Sequence, residues 1–269
     1  MVRRASVGTG DGRGVRGQGA ARSGAGARGR GREARPVERR VKGARRPEVR
    51  LPGDLRPWDG AGLEPDGDYD GVRFEDADLG GQDGGGASFM DCALTGCALD
   101  ETRLYHARFL DTVVTAPRGV GTNLAESTFR DVEVREARLG GVQLHGAVLE
   151  RVLIRGGKID YANFRAARLK DVVFEGCVLV EPDFGGARLE RVEFVDCALK
   201  GADFGQSSLT DVDLRGAASL EIARGVDRLA GAVISPAQLL DLAPVLAAEL
   251  GLRVLAEGAG EQEEQRATR

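Results

Sequence analysis

The sequence predicts an all-β solenoid, and three observations carry that prediction. Starting at Phe74, every fifth residue through Leu214 is Leu, Phe, Ile or Val, except Gly84 and Gly119, over 29 positions. Two residues before each of these centres lies a second series, which is small, β-branched or proline everywhere but Gln82. All nine Phe of the chain fall in the first series and all four Cys in the second. On an α-helix a step of five would spiral these side chains around every face. On a straight strand an odd step would flip them from side to side. The pattern is satisfied if the chain turns a corner once per repeat. The centre and the small residue two before it then point inward along a very short strand, and the residue between them points out.

The corners agree. The second residue after each centre is Gly eleven times and Asp seven times, both turn-tolerant types. A dry interior ladder with a polar exterior is the signature of a solenoid. The expected interior residues include Phe74, Leu79, Phe89, Leu94, Leu104, Phe109 and Phe129, then Leu149, Phe164, Phe174, Phe184, Phe194, Phe204 and Leu214.

Ala77-Asp78-Leu79, Ala162-Asn163-Phe164 and Ala202-Asp203-Phe204 match the motif A-[D/N]-L-x-x, and on these residues the chain resembles the pentapeptide repeat family. The resemblance covers residues 72–216. It implies a right-handed quadrilateral parallel β-helix with four repeats per coil. Phe89, Phe109 and Phe129 recur at every fourth repeat, as do Phe164, Phe184 and Phe204, which is compatible with that coil. Residues 72–216 would then make about seven coils, or roughly 35 Å of rod.

In chain order, residues 1–50 differ in class. They hold 14 Arg and one Lys against four acids, with eleven Gly and almost no large apolar residue. Such a segment buries too little surface to offset its ordering entropy, so it reads as a disordered arm. Weak polyanion binding is one role for it. The plainer readings are a solvated tail, or upstream sequence included through a mis-annotated start in a GC-rich bacterial genome. Residues 51–71 read as an N-terminal cap, with Trp58 and Leu63 covering the open end of the first coil. Gly80–Gly86 and Pro117–Gly121 lose a centre each without shifting phase, and read as distorted corners.

After Leu214 the fives stop. Residues 217–256 read as an irregular last turn and a helical cap. Ser235 is the N-cap, Pro236 the first helical residue and Gln238 the partner of a capping box. Leu239, Leu242, Val245, Leu246 and Leu250 form an apolar face that plugs the solenoid or pairs two copies into a homodimer. Pro244 should kink or divide this helix. Residues 257–269 read as a disordered tail.

Nothing in the chain points to an enzyme, a cofactor or a metal. No motif brings a nucleophile, a base and an orienting group together. Cys92 and Cys97 fall on adjacent faces, Cys177 and Cys197 stack on one column, and His106 and His145 sit at outward corners. Buried reduced thiols, with no secretion signal and no transmembrane run, indicate a cytoplasmic protein. The leading functional reading is a protein-binding scaffold with an unknown partner. Outward apolar neighbours, Met90 with Leu110 and Leu153 with Val173, are candidate contact patches. The family resemblance implies an alternative, a DNA mimic that binds gyrase or a related topoisomerase. Residues 66–215 carry 27 acids against 17 bases, a net of −10. Interleaved arginines such as Arg103, Arg130, Arg138 and Arg151 work against a phosphate-like field.

Overall fold

The computed structural model describes residues 41–255, and the structural statements below concern these. The chain winds as a parallel β-solenoid with one coil to every four repeats. Phe89 pairs with Phe109, Phe109 with Phe129, Phe129 with Leu149, and Leu149 with Leu169, each in register. Four short strands and four corners make one coil. We number the four faces by the centres they carry: Phe89 on the first, Leu94 on the second, Leu99 on the third and Leu104 on the fourth.

The winding is longer than the fives suggest. On the second face one ladder runs Pro57, Arg73, Ala93, Val113, Glu133, Leu153, Val173, Glu193, Asp213 and Val233. That is nine steps rather than about seven, or about 43 Å at the usual strand spacing. The difference arises because the flanking segments, which lack the repeat, still pair through their backbones. Arg56–Pro57 adds a strand before the repeat, and Ala217–Arg224 and Ala232–Val233 add strands after it. The last full rung is irregular, with bulges where Ala217–Arg224 pairs with Cys197–Asp203.

Every corner has the same geometry. From Asp76 to Asp211 each fifth residue has a positive φ, and most of these corner residues are not glycine. Left-handed backbone costs an L-residue roughly 1–2 kcal/mol, least for Asp and Asn, whose short side chains bond locally. This explains the seven aspartates. Glu, Arg, Ala, Tyr, His and Gln fill the rest, held there by the inter-coil hydrogen bonds on both sides.

All 14 interior centres named above are buried. The phenylalanines stack rung on rung: Phe89 over Phe109 and Phe109 over Phe129 at 4.8 and 4.9 Å between ring centroids, and Phe164, Phe184 and Phe204 at 5.0 and 5.2 Å. The small inward series carries polar groups whose hydrogen bonds are met inside the rod. Thr102, Thr122 and Ser127 each donate a hydroxyl hydrogen bond to the carbonyl of a centre one coil earlier: Leu79 at 2.9 Å, Leu99 at 2.7 Å and Leu104 at 2.7 Å. The four cysteines are free and buried, and desolvation pushes the Cys92 thiol up to about 11, so it stays protonated.

The two glycine stretches are not distorted corners. Through Gly80–Gly86 the ladder is intact, with Gly81, Gly84 and Gly86 each donating at 2.8 Å to the next coil. Leu63 fills the space beside Gly84, about where the missing centre would sit. At Gly119 a Cβ would come within 2.7 Å of the Leu99 carbonyl carbon, so this strand lies too close to its neighbour for any side chain.

Both ends are covered. Trp58 packs on Phe74 with ring centroids 5.3 Å apart. At the other end helix α1, Pro236–Glu249, begins with the Ser235–Gln238 capping box. The Gln238 side chain also donates to the carbonyls of Leu214 and Ala217, tying the helix to the last coil. Gly251 closes the helix in a left-handed conformation, with Gly251 and Leu252 donating to Ala248 and Ala247 in a Schellman arrangement. Pro244 does not divide the helix. The carbonyl it would displace belongs to Leu240, which is exposed and open to water.

Two stability tests follow from this geometry. Leu189→Ala should destabilise the fold by about 2–5 kcal/mol through lost burial and a cavity, whereas Arg138→Ala should change it by about 0.5 kcal/mol or less. Urea denaturation distinguishes them, and equal losses would invert the assignment of inside and outside. At the corners, Gly176 has φ 64° and open space where a Cβ would go. Gly176→Ala should therefore cost about 1 kcal/mol from backbone conformation alone, and Ala116→Gly, at φ 50°, should change stability in the opposite direction.

Candidate binding surface

With the interior filled by side chains, the chemistry of this molecule lies on its outer faces. Residues four repeats apart stand on neighbouring rungs, so the repeat sets which charges meet. Arg151 grips Asp131 through two bonds of 2.7 and 2.6 Å. Arg191 grips Asp171 in the same way at 2.6 and 2.9 Å. Arg103 pairs with Asp83 at 3.2 Å and Lys170 with Glu150 at 3.4 Å. Four of the acids are thereby paired one coil away, and the net negative charge is left to the others. Asp91 and Asp111 are an exception: with Asp131 they set three acids in succession down one corner, and of the three Asp131 alone is bonded to an arginine among the described residues. Burial first, and then the charges of Asp131 and Asp91, hold the Asp111 carboxyl above its ordinary pKa.

The second face carries a structure absent from the sequence reading. Residues 41–50, expected as part of a disordered arm, lie extended against the solenoid. The Ala44 amide donates to Glu193 Oε1 at 2.7 Å, the Arg45 amide to Asp171 Oδ1 at 3.1 Å, and the Arg46 guanidinium to Glu175 Oε2 at 2.7 Å. Pro47 is buried. The arm expected over residues 1–50 therefore does not run as far as residue 50, and its residues 1–40 lie outside the described ones. The physical reason is local. Three carboxylates on adjacent rungs satisfy two backbone donors and one cation of an otherwise unstructured sequence.

Beneath this strap the strand alternation breaks. Leu153 and Val173 point outward by parity, yet they are 5% and 0% exposed and lie apart from the contiguous interior core. This is the outward apolar pair that the sequence marks as a contact patch, and the chain itself covers it. Of the other marked pair, Met90 remains exposed.

The third face has an open depression of ≈ 480 Å³ beside Gly119 and Gly140. Arg118, Arg138 and Lys158 stand in register along it, with Asp100 and Asp160 opposite. Helix α1 splits its apolar residues between two sides. Leu242 is buried and Leu246 packs partly on the core, whereas Leu239, Val245 and Leu250 face solvent. Among the described residues no His, Cys, Asp and Glu cluster has metal-site geometry, and no helix is long and apolar enough to cross a membrane.

The model for the pentapeptide repeat region matches residues 87–164, and that for pentapeptide repeats (8 copies) matches residues 160–194 and 188–218. Among solved structures, HetL, a pentapeptide repeat protein involved in heterocyst differentiation regulation from the cyanobacterium Nostoc sp. strain PCC 7120, is 18% identical. That match covers 65% of this chain and 92% of HetL, with a TM-score of 0.28. Full-length QnrB1, a plasmid-mediated fluoroquinolone resistance protein, is also 18% identical, over 71% of this chain and 94% of its own, with a TM-score of 0.27. Scores this low carry no functional conclusion. No curated protein matches the sequence.

The Asp171–Arg191 pair makes a pH test. Asp171 is buried, and the Arg191 guanidinium, followed by the Arg45 amide, holds its carboxyl below the ordinary range. A carboxyl lowered on folding adds stability that is fully present above its unfolded pKa, about 3.9, and is lost as pH falls through the folded value. Asp171→Asn should cost about 1–3 kcal/mol at pH 7. The gap from wild type should narrow as melting temperatures are measured at progressively lower pH below about 4. A gap independent of pH would show that the charge contributes nothing.

Proposed function

We propose that this chain, which belongs to the pentapeptide repeat family, works as a non-enzymatic binding scaffold whose outer faces engage a protein partner. One observation carries the reading: apolar and small side chains fill the interior, and the charged groups stand on the outer faces, on a lattice fixed by the strand ladder. Such a lattice presents charges at intervals of about 4.8 Å with little entropy left to lose on binding. A cleft that could enclose a substrate is hard to build on the same plan. The exposed Leu239, Val245 and Leu250 of helix α1 are suited to pairing two copies end to end.

A second reading rests on the run Asp91, Asp111 and Asp131. Consecutive carboxylates on a rod resemble the phosphates of a duplex, and a basic DNA-binding saddle such as that of gyrase is the surface they would suit. The arginines that answer Asp131 and Asp171 weigh against it.

The two readings separate by experiment. Purified full-length chain, titrated into a supercoiling assay of the host gyrase at low salt, should leave activity unchanged if the scaffold reading holds. Inhibition that weakens steeply with added salt, and weakens again in Asp111→Asn, would favour mimicry instead. The scaffold reading further expects affinity capture from host lysate to retain a protein in near-stoichiometric amount after nuclease treatment. Capture no better than that of an unrelated acidic protein would remove it.

A further inference from the structure

The second face shows what kind of ligand it accepts, because it already holds one. Its floor is the outward apolar pair Leu153 and Val173, both closed off from water. Its rim is acidic, and each of the three rim carboxylates is used by the strap. Glu193 and Asp171 take consecutive backbone amides, those of Ala44 and Arg45, and Glu175 takes the Arg46 side chain. Asp171 and Glu175 are themselves held in place, Asp171 by Arg191 and Glu175 by Arg155 at 3.1 Å. Two of the three anchors read main-chain donors, which any extended peptide supplies. The third selects a basic side chain, which in the strap is followed by the buried Pro47.

The strap is attached as a line rather than as a fold. Its anchors at Arg45 and Arg56 lie on Asp171 and on the Gly71 carbonyl, five rungs apart on one corner. The intervening chain crosses a distance of about 24 Å, against a fully extended reach of about 36–40 Å. The segment is long enough to cross and, among the described residues between Val41 and Leu55, has no strand or helix of its own. Its backbone is held at Ala44 and Arg45 and again at Arg56, with no element of its own between them.

We propose that this groove is a binding site for an extended, arginine-containing segment of a partner protein, and that residues 43–47 are its resident occupant, displaced when the partner binds. The proposal rests on the scaffold reading and assigns it a face and a partner chemistry. Charge complementarity and the observed occupant both point to a basic peptide. A tethered occupant competes at an effective concentration in the millimolar range, so the free chain should bind a partner segment weakly until the strap is weakened.

The probe is a fluorescent peptide with the sequence of residues 41–52, read by anisotropy against the full-length chain. Wild type should bind it weakly. The full-length variant Ala44→Asp/Arg46→Glu, which opposes Glu193 and Glu175 with like charge, should bind it roughly tenfold tighter or more, with an unchanged β-type circular dichroism spectrum. Glu175→Arg placed in the single variant Ala44→Asp, whose strap keeps Arg46, should abolish binding of this peptide, and a peptide carrying Glu in place of Arg46 should restore it. Equal binding by the folded variant and wild type would overturn the proposal, as would indifference to Glu175→Arg. If the double variant fails to fold, amide exchange at Ala44 and Arg45 in the isotope-labelled wild-type chain decides. Millimolar unlabelled peptide should speed that exchange, and no change overturns the proposal. A concentration-dependent dimer that Glu175→Arg dissolves would assign the groove to the strap of a second copy and overturn the partner assignment. Failure here leaves a scaffold that binds through another face, whereas failure of affinity capture with peptide binding intact would leave a peptide groove without a host partner.

Discussion

The left-handed corner is the constraint on which the rest of this molecule depends. Once every fifth residue is fixed at positive φ, strand length, parity and coil size follow. Three residues remain between corners that can lie in a strand, and two of these must point inward. Four corners then return the chain to its starting direction after four repeats. The summed cost of the many non-glycine corners is considerable. It is offset cooperatively, because each corner is braced by backbone hydrogen bonds to the coils on either side. An isolated repeat has no such bracing, which is why the motif needs to recur to be stable.

The same register makes the interior both apolar and tolerant of polar atoms. A residue of the small inward series lies 23 positions after the centre whose carbonyl it faces, for Thr102, Thr122, Ser127 and Cys177 alike. A hydroxyl or thiol there meets an acceptor already in place, so Ala, Thr, Ser and Cys interchange at little cost. The centres enjoy no such latitude. Each stacks on its own counterpart one coil away, and the phenylalanine columns show how closely shape is matched along the axis.

Much of this was legible in the sequence, because the interactions that create it are periodic. Parity, corner positions, the phenylalanine columns and the capping box of helix α1 could each be read from spacing. What was hidden depends on aperiodic contacts. Arg56–Pro57 and Ala232–Val233 pair through backbone alone, and backbone pairing leaves no mark on composition, so the coil count fell short. Leu63, which precedes the repeat, takes the place of the centre missing at Gly84, and no spacing announces it. The strap is the clearest case. Its composition is that of an unstructured segment, and its anchors are carboxylates 126 to 149 residues away. The signal that existed was on the receiving side, in the outward apolar pair Leu153 and Val173.

The strap also changes the physics of the rod. In a solenoid each coil contacts only its neighbours, so stability is approximately a sum of local terms and the two ends have no direct knowledge of each other. A segment fixed at the Gly71 rung and again at the rungs of Asp171 and Glu193 couples positions five and six steps apart. Fraying of the intermediate coils then strains the strap, and releasing the strap removes that coupling. A ligand that takes its place restores the anchors on Asp171, Glu175 and Glu193 but not the tether. The exchange is therefore between two similar sets of contacts, so the affinity that matters is their difference rather than their sum. Small changes in either segment, a charge at position 46 or the apolar residue after it, are enough to decide which one the groove holds.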